Sequence, residues 1–348
     1  MFSTYRKNDV KILLKDISGL VKPLSTAERE KLIQSGRHYS EFLPIEYEPS
    51  EKYLKTYFDA LNRYGKITAA AVANVSKKIY ADNGKKIVLV SLARAGTPIG
   101  ILIKHYLERK FACEVEHYTI SIIRGVGIDK NAIKYILARE NPEKIQFIDG
   151  WTGKGAIQRE LTTAMKDFPQ INSGLAVLSD PAGVAEKFGT QEDFLIASSC
   201  LNSTVSGLLS RTFLRNDIIG ANDFHGAAFY SELVEKDLTY QFIDSIEKNF
   251  DFEAEIEDKI VEKNSGLAEV KKIAAEFKIA DINLIKPSIG EATRVLLRRL
   301  PEKILVQSLH DENLEHLYQL AEEKGVPIEV YPLKNYKACG LIRKLADN

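Results

Sequence analysis

Apolar and polar positions along this chain fall into repeating blocks. A short apolar run of strand length is followed by a turn rich in Gly or Pro, then by a stretch with helical spacing. Residues 86–103, KIVLVSLARAGTPIGILI, show the pattern. Positions 87–90 predict a strand, and Thr97-Pro98 predicts a helix start, because proline is tolerated in a first turn. Residues 144–160, KIQFIDGWTGKGAIQRE, repeat it, with a strand over 145–148, an acid at the strand end and a helix from about Ala156. Between them, alternation over 118–123 predicts another strand, and Arg124-Gly125-Val126-Gly127 a mobile loop. Further strands are predicted over 175–178 and 194–197, with Asp180-Pro181-Ala182-Gly183 turning the chain after the first. Strands alternating with helices in this way predict a parallel sheet. Upstream, Tyr53, Tyr57, Leu61, Ile67 and Val72 place one long helix over 51–80, and residues 1–50 read as an N-terminal extension broken by Pro23 and Pro44.

The pattern then divides. The α/β unit is expected over 51–252. A charged stretch, EAEIEDKIVEKNSG, marks a linker over 253–269, and a second domain over 270–348 follows. There Ser288 caps a helix to about residue 300, 304–307 is a strand, 312–324 a helix ended by Gly325, 328–330 a strand and 336–345 a last helix. A complete alternating core predicts that this domain folds alone.

Composition narrows the classes. The chain has 348 residues, enough for two domains, with 48 basic and 48 acidic side chains. Zero net charge gives no global pull toward nucleic acid or membrane. No run has the ~18–20 apolar residues of a membrane span. The broken, charged N-terminus does not read as a signal peptide, so a cytoplasmic location is expected. Cys113, Cys200 and Cys339 are odd in number and far apart, which suggests neither a disulfide framework nor a zinc site.

Candidate chemistry gathers in the turns. Gly150, Gly153 and Gly155 precede a helix whose free N–H groups form an anion site, and Thr152 and Lys154 add a hydroxyl and a cation. The alternative is an ordinary βα turn. The spacing is neither a Walker A loop nor GxGxxG. Arg94 in the earlier turn offers a fork of donors, or is a plain surface arginine. Asn202, Ser203 and Arg211 lie in a hydroxyl-rich stretch that either walls a pocket or caps a helix near Ser203. His225 is an acid/base or a satisfied buried imidazole. Trp151 stacks on a ligand or packs beneath the loop.

The segment from the 145–148 strand through Thr152-Gly153-Lys154-Gly155 resembles the PRPP loop of type I phosphoribosyltransferases, and Leu92-Ala93-Arg94-Ala95-Gly96 resembles their pyrophosphate loop. More widely, SLARAGTPIG, DGWTGKGAIQREL, SSCLNSTVSGLLSRT and NDFHGAAFY resemble a bacterial family of tellurite-resistance and stress operons. That family is described as a phosphoribosyltransferase-like domain fused to a PELOTA RNA-binding domain, and its members also carry the name cysteine protease StiP. The C-terminal pattern is similar to L7Ae and PELOTA sandwiches.

The resemblance implies an α/β fold: a type I phosphoribosyltransferase-like parallel sheet domain plus a C-terminal L7Ae/PELOTA-like α/β sandwich. It implies a Mg2+-dependent phosphoribosyltransferase acting on PRPP, or another ribose 5-phosphate compound, and a nitrogen base, or running the reverse reaction. In that reading Asp149 holds the ribose hydroxyls and reaches the metal via ligand or water. Arg94 neutralises the leaving group, and Arg124 closes over the centre. Ala93, Ala95, Gly96, Gly150, Trp151, Thr152, Gly153, Lys154 and Gly155 bind substrate, walled by Asn202, Ser203, Arg211 and His225. An unusual backbone is expected between Leu92 and Gly96. Lys286, Glu291, Thr293, Arg294 and Arg298 would contact structured RNA, and a homodimer is expected. Gly150 stands where the family's second acid belongs, which leaves a non-catalytic nucleotide- and RNA-binding protein as the rival. A thiol protease using Cys200 and His225 is placed last, because lone cysteines are usually buried small hydrophobes.

Overall fold

The computed structural model describes residues 2–253 and 262–343. The expected linker lies partly outside the described residues. The first fifty residues hold β1 (Lys11–Ile12), β2 (Lys15–Asp16) and α1 (Thr26–Gln34). They form part of the sheet system, since β1 pairs in parallel with β4 (Glu114–Ile123) and β2 with β9 (Gly226–Ala227). Ser50 caps α2 (Glu51–Asn83), and Gly84, at φ +68°, lets the chain leave it.

The main sheet continues with β3 (Lys86–Ala93), β6 (Ile145–Ile148), β7 (Leu175–Ser179) and β8 (Lys187–Thr190). Its order is β1-β4-β3-β6-β7-β8, all parallel, with β5 (Gly127–Ile128) folding back antiparallel onto β4. α3 (Gly96–Phe111), α4 (Lys130–Leu137) and α5 (Ala156–Ala164) connect these strands, and α6 (Thr239–Glu247) packs with α2 and α3. Both sheet faces are covered. One meets a core that includes α2 and α3, the other a core with Val90, Tyr118, Phe147 and Ile133. Continuous apolar strands are what a doubly covered parallel sheet demands.

The C-terminal domain contains α7 (Ser265–Glu276), β10 (Ile285–Pro287), α8 (Ile289–Arg298), β11 (Pro301–Val306), α9 (Glu315–Glu323), β12 (Ile328–Val330) and β13 (Ala338–Ile342). Its mixed sheet runs β10-β13-β11-β12.

Two predicted elements differ. Of the strand predicted over 194–197, residues 194–196 are irregular chain and Ala197 opens a 3-10 turn at 197–200, buried between α2 and α8; a short apolar run does not distinguish a strand from a buried connector. The last predicted helix is instead the fully buried strand β13, the central partner of both β10 and β11. The stretch near Ser203 makes only a short 3-10 turn over Ser203–Val205.

Candidate functional site

The sheet order places a switch point between β3 and β6. Connections leave these neighbours in opposite directions, which opens a crevice at their carboxyl ends. The β3–α3 and β6–α5 turns meet there. A Cβ on Gly96 would lie 2.5 Å from the Ile148 carbonyl, so only glycine lets the turns approach. The Ala93–Arg94 peptide is cis. The crevice deepens into a cleft whose walls include Arg94, Trp151, Ser199, Asn202 and, from the C-terminal domain, Arg294.

Arg94 donates to the Leu209 carbonyl at 3.0 Å and to the Asn202 side chain at 2.9 Å. Ala95 lines the cleft beside it. Asp149 ends β6, and its carboxylate accepts the Gly150 N–H at 2.8 Å. Loss of water pushes its pKa up to about 7, with the Gly150 bond and Arg294 opposing and Glu291 adding to the rise. Among the described residues no group of three or more His, Cys, Asp or Glu side chains converges as a metal site.

The glycine turn is occupied by protein. Lys154 donates to the carbonyls of Ile282 and Ile285, and Tyr336 donates to the Gly153 carbonyl. Burial pulls the Lys154 pKa down to about 8, with Lys286 and Arg124 adding to the fall. Thr152 is buried and donates to Asp180, which in turn accepts the Val184 and Ala185 N–H groups. Gly155, at φ +73°, starts α5. The cation, the hydroxyl and a loop carbonyl thus all serve internal contacts.

The other expected residues are dispersed among structural contacts. The Arg124 N–H meets the Tyr39 hydroxyl, and its side chain reaches Asn283 at 3.3 Å. Ser203 donates its N–H to Glu46 while its hydroxyl is buried without a partner among the described residues. Arg211 donates to the Tyr39 and Phe42 carbonyls, and burial lowers its pKa to about 10, helped by Arg29 and Arg94. His225 pairs through Nδ1 with Ser121 at 2.8 Å and donates its N–H to Asp129.

The residues expected to meet RNA are partly covered by protein. Lys286 is depressed by burial, Thr293 is fully buried with its hydroxyl on the Ile289 carbonyl, and Glu291 bonds Trp151 and lies 3.3 Å from Arg294. Arg294 sits 5.8 Å from the centre of the Trp151 ring. The Arg298 side chain lies outside the described residues. Asp193, which no sequence signal marked, clamps this face: its carboxylate accepts the Ile289 N–H at 3.0 Å and the Lys337 N–H at 2.9 Å. Desolvation lifts it to about 7 against those bonds.

All three cysteines are buried, and none is in a disulfide. Cys113 follows α3, its thiol directed to the Gly84 carbonyl, and Cys339 lies within β13, where burial raises its pKa. Cys200 ends the 3-10 turn at the cleft wall. Ser198, Ser199, Leu201 and Asn202 around it all line the cleft. On the core side it lies near Tyr57 and Tyr64 of α2, whose hydroxyl pKa values burial raises.

Residues 3–247 match the family described as tellurite-like stress resistance cysteine protease StiP, and residues 264–344 match the PELOTA RNA binding domain. The chain is also 35% identical to the cysteine protease StiP of Acinetobacter baylyi (strain ATCC 33305 / BD413 / ADP1), over 98% of this chain and 94% of that protein. Both names are those of a cysteine protease. They overturn the expected phosphoribosyltransferase activity, and with it the last place given to a thiol protease. Among the described residues no helix is long and apolar enough to cross a membrane.

Proposed function

This chain belongs to the StiP family of tellurite-like stress-resistance cysteine proteases, and from that premise we propose that it is a cysteine peptidase with Cys200 as its nucleophile. The observation that carries the choice is position: Cys200 is bracketed on both sides by residues that line the cleft at the sheet's switch point. Cys113 follows α3, before β4 begins, and Cys339 is sealed inside the C-terminal sheet. A thiolate at residue 200 would attack a peptide carbonyl carbon. The C–S bond forms, the C–N bond breaks with a proton passing to the leaving amine, and water then releases the acyl group.

The thiol is fully buried in the described state, so the cleft wall at 198–202 must yield for a peptide to reach it. The PELOTA domain packs α8 against this wall and extends the reading to structured RNA as a second partner.

The test is hydrolysis of denatured casein by the full chain and by Cys113→Ser, Cys200→Ser and Cys339→Ser. Loss of at least a hundred-fold in Cys200→Ser alone is expected. Full activity in folded Cys200→Ser would overturn the assignment.

A further inference from the structure

The cleft beside Cys200 is selective in its charge. Its lining includes two arginines, Arg94 from the β3–α3 turn and Arg294 from α8, and among the described residues no carboxylate lines it. The two cations come from different domains and enter one space of about 340 Å3 including its mouth.

Neither guanidinium is used up by the contacts described above. A guanidinium carries five N–H donors. Arg94 commits one each to Leu209 and Asn202, and Arg294 commits one to Glu291. Ser199 supplies an independent sign of a missing ligand. Ser199 is 2% exposed, its hydroxyl has no partner among the described residues, and it borders both this cleft and the adjoining cavity toward Asp193, Ser288 and Gly290. Gly290 keeps the space open, since a Cβ there would stand 3.3 Å from the Ser199 hydroxyl oxygen. A buried hydroxyl left unpaired keeps its desolvation penalty, so an acceptor in the cleft would relieve it. Trp151, Pro98, Leu201 and Val205 form an apolar part of the wall that matches a methylene stem, beside the polar Ser198, Asn202 and Ser206.

We infer that this cleft is the specificity pocket for an acidic side chain of a peptide, its carboxylate held between Arg94 and Arg294 and by the Ser199 hydroxyl, its stem against Trp151. Arg–carboxylate pairs are charge-assisted and geometrically selective, which favours glutamate over its amide. This rests on the peptidase reading for its biological meaning, but binding does not require the thiol.

Trp151 is the sole tryptophan and lines the cleft, so its fluorescence reports occupancy. The experiment titrates the full chain carrying Cys200→Ser with acetyl-Ala-Glu-Ala-amide, with the Gln counterpart and with inorganic phosphate. The Glu peptide should bind at least ten-fold more tightly than the Gln peptide and more tightly than phosphate. Arg294→Gln should bring the Glu and Gln peptides to equal affinity, and Arg294→Lys should restore part of the preference. Equal affinity for Glu and Gln peptides in the starting protein would overturn the proposal, as would phosphate binding tighter than the Glu peptide. A Glu preference in a protein that shows no casein hydrolysis would sustain this pocket and sink the peptidase reading. The reverse result would sink only the pocket.

Discussion

At the residue scale, several polar groups that invite a catalytic reading are instead joints of the fold. His105 is the sharpest case. Its ring meets both Asp9, at 3.1 Å, and Glu247. Burial alone would lower its pKa, but the two carboxylates win and raise it to about 9. A histidine raised in the folded state adds stability that is fully present below its ordinary value near 6.5. That stability is lost as pH climbs through 9. Asp9 and Glu247 are held below their ordinary values, so their share is lost on the acid side instead. The wild-type chain should therefore lose stability between pH 6.5 and 9, and His105→Gln should flatten that arm by on the order of 3 kcal/mol. Urea unfolding at pH 6, 7.5 and 9 on both proteins measures it, and parallel curves would show that the charge on His105 contributes nothing. The same lesson holds for Thr152 and Lys154. Sequence showed a hydroxyl and a cation in a glycine turn; it did not show that Asp180 and two carbonyls of a distant domain already engage them. Local spacing carries no information about what arrives from a hundred residues away.

At the element scale, the legible parts were those with a local cause. The strands at 145–148 and 175–178, the long helix after Ser50 and the cap at Ser288 follow from apolar runs and capping chemistry. What sequence did not reveal was decided by neighbours. β8 has the sequence KFGT, with Phe188 as its one large apolar side chain, and is a strand because β7 pairs with it. Gly189 within it marks a close pass of α2: a Cβ there would lie 2.4 Å from the Ala71 carbonyl oxygen. Gly189→Val should destabilise by about 1–3 kcal/mol or more, because the clash is with helix backbone. The denaturation midpoint of that variant checks it, and an unchanged midpoint would mean α2 shifts without cost. β13 was misread for the opposite reason. ACGLI is too short to show a period, and its place in mid-sheet comes from pairing on both sides.

At the scale of the whole molecule, the two domains share a core. Ile289, Ala292, Val295 and Leu296 of α8 belong to the same buried cluster as Tyr57, Tyr64 and Val72 of α2. Polar contacts fasten the same interface: Tyr64 donates to the Asn313 carbonyl, Arg63 pairs with Glu315, and Asp193 holds the start of α8. The C-terminal segment cut free would expose part of that cluster, so the expectation that it folds alone gives way to one of a loosened fragment. Two surfaces are covered at once by this docking. One is the inner side of α8 together with Lys286 of β10; the other is the core side of the turn that carries Cys200. Loosening the contact without emptying the core should expose both. Lys154→Met with Tyr336→Phe removes the hydrogen bonds to Ile282, Ile285 and Gly153 while keeping bulk. The double variant should react with iodoacetamide at Cys200 several-fold faster than the parent, read by mass spectrometry of the modified peptide. It should also bind structured RNA about ten-fold more tightly in a filter assay, with a steeper loss of affinity at higher salt, because newly exposed cations release more counterions. Lys271, Lys272 and Lys278 are exposed in the docked form and supply a comparison. If RNA affinity is unchanged in the double variant and falls on changing those three lysines to Glu, the nucleic acid is held on the outer side of α7. The covered face of α8 would then serve docking alone.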